Sequence, residues 1–96
     1  METLKKGTLA YYESLGGLVP VKVTKIEPYV SMGPGLAPRD GEHLVFFIFT
    51  TDNHMGKKGD TFDSHHNHVF PRKCVHAKRG TYGMQHYVDR YNVEEG

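Results

Sequence analysis

The sequence has one cysteine in 96 residues, Cys74, so no disulfide can form within the chain. It has almost no net charge, +1 at pH 7, which leaves no global field to hold the protein on nucleic acid or a membrane. It has no long hydrophobic run. The longest, residues 44–49, is far shorter than the roughly 20 residues that span a bilayer. The amino terminus, Met1-Glu2-Thr3-Leu4-Lys5-Lys6, does not lead into the apolar stretch of a secretory signal. Together these absences imply a soluble, cytoplasmic protein without membrane contact. The motifs of nucleophilic catalysis and phosphate binding are missing too: no G-x-S-x-G, no phosphate-cradling glycine loop before a helix, no dinucleotide fingerprint. The expectation is a non-enzymatic protein that needs no cofactor.

What is present points to β structure. Ninety-six residues make a single domain, 1–96, with no room for a second core. Eleven glycines and five prolines imply many turns and short strands, while five Phe and six Tyr exclude a largely disordered chain. Leu9 and Tyr11 share one face of a strand over residues 8–13, and the turn Ser14-Leu15-Gly16-Gly17 joins it to a second strand over 18–26. In that strand Val19, Val21 and Val23 alternate inward, and Ile26 breaks the phase, which predicts a bulge near Thr24-Lys25. Pro20 lacks an amide donor and should lie where the strand begins on an edge. Residues 28–42, with three prolines and three glycines, read as a loop.

Residues 44–49 show no alternation, so both faces must be covered: one by the barrel, the other by the carboxy-terminal segment or a second copy of the chain. From Phe62 the chain reads as extended through His68-Val69-Phe70, and Pro71 is placed to start a short helical or 3-10 turn at Arg72-Lys73-Cys74. Met84, Tyr87, Val88 and Tyr91 fall at i, i+3, i+4 and i+7, which predicts an amphipathic helix in the 79–96 extension, docked over the 44–49 strand.

This order of elements resembles the SH3-like small barrels, including their Tudor-like and KOW-type relatives. The residues that carry the likeness are Gly7 to Tyr12, Gly17 to Ile26, and Lys58-Gly59-Asp60 through Val69-Phe70-Pro71-Arg72-Lys73-Cys74-Val75. It covers about the first 78 residues and implies a five-stranded barrel (1–78) followed by the helical extension. The chain departs from eukaryotic SH3 domains in lacking their acidic, aromatic-rich loop and groove-lining tryptophan, so binding of PxxP peptides is not implied. In size and composition it also resembles small accessory or regulatory proteins of phages and mobile elements.

Three groups of residues are candidates for function. The first is basic. Residues 57–90 carry seven Lys/Arg against three Asp/Glu, and Lys57, Lys58, Arg72, Lys73, Lys78 and Arg79 could meet the phosphates of nucleic acid. The second is aromatic: Tyr12 and Tyr82 are the tyrosines best placed for exposure, and tyrosine is enriched at protein interfaces. The third is the run His65-His66-Asn67-His68. On a strand, His66 and His68 share a face and could chelate zinc or a similar divalent metal, though the spacing matches no standard motif. Cys74, beside Lys73, reads as a buried structural thiol. The leading expectation is a protein-interaction module whose partner is another protein or a second copy, giving a homo-oligomer. A nucleic-acid-binding barrel is the alternative, and a histidine metal site the second alternative.

Overall fold

The chain is described in a computed structural model over residues 1–30, 38–80 and 83–96, with backbone alone for 30, 38–40, 77–80 and 83–86. Nine strands are described: β1 (Thr3–Leu4), β2 (Leu9–Ser14), β3 (Gly17–Val30), β4 (Pro38–Phe49), β5 (Thr61–His65), β6 (Val69–Pro71), β7 (Val75–Gly80), β8 (Gly83–Val88) and β9 (Asn92–Val93). Single 3-10 turns, His66–His68 and Arg72–Cys74, flank β6. Five strands form one antiparallel sheet in the order β5-β4-β3-β2-β6; β7 pairs with β8, and β1 lies parallel to β9.

The β2–β3 hairpin closes through a turn at Leu15-Gly16, with Ser14 opposite Gly17, whose φ of +116° is open to glycine without steric cost. Along β3, Val19, Val21 and Val23 point inward, and a register shift between Val23 and Lys25 then brings Ile26 into the same core. The anticipated bulge is therefore what keeps the apolar side of β3 pointing one way. The carbonyl of Pro20 accepts the amide of Thr50 at 3.1 Å. Its missing N–H thus faces the side on which the β4 ladder ends, at Val21 opposite Phe49.

In β4, Val45, Phe47 and Phe49 are buried, while Leu44, Phe46 and Ile48 are half-buried on the outer face. Lys22 and Lys25 of β3 lie opposite Ile48 and Phe46, and the Lys25 ammonium sits 5.8 Å from the Phe46 ring centre. The core is Leu4, Ala10, the β3 valines, Ile26, the inward residues of β4, and Val69.

Three expectations need correction. The carboxy-terminal segment is not a helix: residues 83–88 form β8, paired from Val75 opposite Val88 to Gly80 opposite Gly83. A helical spacing of four apolar residues gave way to a hairpin with the preceding segment, which satisfies every other backbone group without needing an apolar face to dock. The 28–42 loop is shorter than its composition suggests. β3 runs on to Val30 and β4 begins at Pro38, with a second register shift between Pro28 and Val30; residues 31–37 lie outside those described. Finally, the ladder does not close into a barrel among the described residues. β5 and β6 are its two edges, joined along the chain by the His66–His68 turn.

Candidate protein-binding seam

Between the two edges the sheet curls until β5 approaches β2. Phe62, in register with Phe47 on the inner face, reaches across to Tyr12 with ring centres 5.6 Å apart. Tyr12 in turn lies 5.2 Å from Phe47, and Phe62 stacks on Phe49 at 6.5 Å and 21°. This aromatic group packs as a plug across the inner face of the sheet, between β5 and β2. The plug is incomplete, because Phe62 stays 42% exposed although it points inward.

One lip of the seam is the β2–β3 turn. Leu15 at its tip is fully exposed. The Ser14 hydroxyl donates to the Gly17 carbonyl at 2.7 Å, so the His54 ring 2.8 Å away donates its Nε2 proton to the Ser14 oxygen. A side chain on Gly16 would run into that imidazole, with a Cβ only 2.6 Å from Nε2. Ser14 and His54 therefore lock the turn; with its proton turned to Gly17, Ser14 is not an activated nucleophile.

The loop after β4 forms the other lip. The Asn53 side chain accepts the Met55 amide, Asp52 accepts the Lys58 amide, and Asp60 accepts the Lys57 amide. Two adjoining clefts, of about 550 and 230 Å³, share Tyr12, Ser14 and Leu15; the larger adds Glu13, Gly17 and His68, the smaller Gly16, His54 and Met55.

Among the described side chains, the basic candidates are divided between the interior and the surface. Arg72 is turned into the fold: Nε donates to the Ala10 carbonyl at 3.1 Å, and one terminal nitrogen donates to the Val21 carbonyl at 3.4 Å and the Thr50 hydroxyl at 3.1 Å. Its guanidinium also lies 5.4 Å over the Tyr11 ring. Lys73, next in sequence, is exposed, with Glu2 at 3.9 Å. Lys57 and Lys58 commit their backbone amides to the loop, and their side chains have no ion pair among the described residues. The side chains of Lys78 and Arg79 lie outside those described, although their backbone runs in β7, and Tyr82 is outside the described residues altogether. Of the aromatic candidates, Tyr12 stands at the seam.

The histidines are split as well. Because His66–His68 is a 3-10 turn and not extended strand, the alternation that would place His66 and His68 side by side does not apply. His68 lies 3.6 Å from Glu13 at the seam. His66 instead accepts the His43 amide at 3.1 Å and packs against the His65 ring, 4.4 Å away. Burial and the neighbouring His65 hold the His66 pKa below the usual histidine range. Glu95 lies 3.4 Å from His43, and Glu42 lies 3.5 Å from His65. No three His, Cys, Asp or Glu among the described residues converge as a metal site would require. Cys74 is buried, and burial raises its pKa, as suits a structural thiol.

Reading along the chain missed Leu15, the β5 edge, the inward-facing place of Phe62 and the part His54 plays in the turn. Their signal was present only as an inward aromatic beside a charged strand residue, Asp63, and becomes legible once β5 is known to be an edge. No helix among the described residues is long and apolar enough to cross a membrane. No family model, curated protein or solved structure matches the chain.

Proposed function

We propose that this chain is a non-enzymatic protein-interaction module, an SH3-like small barrel left open at one seam and binding its partner there. The observation that carries this reading is Phe62. A large aromatic side chain directed into the core, yet 42% exposed beside Tyr12, which itself lines a cleft with the fully exposed Leu15, is apolar surface that a partner would cover. The nucleic-acid reading draws less support, because Arg72 is committed to backbone carbonyls and Lys73 stands beside Glu2. An accessory role, as in phages and mobile elements, is compatible with such a module.

The test is affinity capture by the tagged chain, with and without nuclease, repeated with the double variant Phe62→Ser, Leu15→Ser. The expected result is a protein captured stoichiometrically, resistant to nuclease and lost with the variant. Capture that vanishes with nuclease or survives the variant would count against the seam.

A further inference from the structure

The seam leaves a strand edge open as well as an aromatic ring. The amide of Phe49 donates to the Asp60 carbonyl, and the Phe49 carbonyl accepts the Gly59 amide. These bonds set the phase of the β4–β5 ladder. Phe62 and Ser64, opposite Phe47 and Val45, point their backbone groups at β4, and Thr61, Asp63 and His65 point theirs away. The His65 carbonyl, at the N-cap of the His66–His68 turn, takes the first hydrogen bond of that turn, and no strand among the described residues pairs with the outward backbone groups of Thr61 and Asp63. The edge is thus a template for one more strand.

Side chains on β5 divide by face. Phe62 and Ser64 look inward; Thr61, Asp63 and His65 look outward, in register with Ile48, Phe46 and Leu44. The cation nearest in register to Asp63, Lys25, lies across Phe46 and is paired with Glu27 at 3.1 Å. Asp63 is exposed and has no ion pair or hydrogen bond among the described residues.

From this geometry, and resting on the reading of the seam as a protein-binding site, we propose that the β5 edge takes up an extended segment of a partner protein as a sixth strand, with a Lys or Arg opposite Asp63 and apolar residues on either side of it. The flanking residues fall opposite Phe62 and Ser64 and extend the aromatic plug; the basic residue meets Asp63 on the outer face. A second copy of this chain is a poorer occupant. The antiparallel register that uses all five residues of β5 sets Asp63 against the copy's own Asp63, and like charges directly opposed destabilise a pair.

A charged residue on a free edge also guards against aggregation, and the two roles part experimentally. A guard works with either sign of charge, whereas a recognition residue does not. The experiment titrates the isotopically labelled chain with two blocked five-residue peptides, Thr-Val-Lys-Val-Thr and Thr-Val-Glu-Val-Thr, following backbone amides by NMR. The expected result is that the lysine peptide shifts the amides of Thr61, Asp63 and His65, slows their hydrogen exchange, and binds about fivefold more tightly than the glutamate peptide. In Asp63→Lys, whose melting temperature should match the parent's, the preference reverses. Equal response to both peptides, shifts elsewhere, no response, or concentration-dependent self-association through these same amides would overturn the proposal. Affinity capture separates the two readings. A partner lost with Phe62→Ser, Leu15→Ser but retained in full by Asp63→Lys leaves the seam standing and removes the edge; a chain that captures no protein removes both.

Discussion

At the β6 edge of the sheet all three residues, Val69, Phe70 and Pro71, are buried, whereas at the β5 edge Thr61, Phe62 and Asp63 are exposed. The covered edge is finished by distant parts of the chain. Tyr91 lays its ring 6.5 Å from Phe70 and shares its hydroxyl proton between the carbonyls of His66 and Val69, at 2.9 and 3.0 Å. Arg72 follows at once, tying the end of β6 to β2, β3 and the residue after β4. The open edge has an aspartate and a half-exposed phenylalanine. A fold that can protect one edge so thoroughly leaves the other bare where bareness is tolerable or useful, and unpaired edges are ordinarily a liability.

The strongest way to break this contrast is to uncover β6. Tyr91→Ala removes an aromatic ring and the donor to two carbonyls, and should cost about 3 kcal/mol, toward the low end for aromatic truncation. Denaturant melts would measure it, and a loss under 1 kcal/mol would mean the edge needs no cover. Next is Arg72→Ala, expected to cost about 2 kcal/mol because the Ala10 and Val21 carbonyls lose their side-chain donor. Lys73→Ala, its exposed neighbour, should fall within about 0.5 kcal/mol. Equal effects would contradict the division of labour between these two cations.

On the open edge, Phe62→Ala should cost only about 1 kcal/mol, since the residue is already 42% exposed. Partner capture should fall far more than stability does. If Phe62→Ala destabilises as much as Tyr91→Ala, the two edges are equally structural.

Two pH limbs sharpen the comparison further. Burial, with a smaller contribution from nearby Cys74, pushes the Tyr91 phenol up to about 12 from an ordinary value near 10. The unfolded chain therefore ionises first. Stability from this group is intact below pH 10 and is lost as pH rises from 10 towards 12. Tyr91→Phe should flatten that limb in thermal melts. On the acid side, burial lowers the His66 pKa below 6.5, so the unfolded chain takes the proton first. Stability is then intact above pH 6.5 and falls as pH drops below it. His66→Gln should reduce the slope; an unchanged slope would assign acid lability to other groups.

The valine alternation in β3, the bulge that returns Ile26 to the core, the turn before Gly17 and the 3-10 turn after Pro71 were all legible in the chain, because each depends on residues adjacent in sequence. So was the burial of Cys74. The histidine pair was not: strand alternation would set His66 and His68 on one face, and a single tight turn there sends His66 to His43 and His68 to Glu13. The fate of Arg72 was equally hidden, since its acceptors lie 62 and 51 residues away.

By itself, then, the sequence determined a mainly β chain, the facing of its central strands and where its turns fall, since side-chain periodicity and backbone-permissive residues act over a few residues. Tertiary structure decided that residues 83–88 pair with β7 instead of coiling, and that β6 is covered while β5 is not. It also decided which cations serve the fold. The reason is common to all of these. A backbone edge or a guanidinium is satisfied by whichever distant strand arrives beside it, and no local pattern records that arrival.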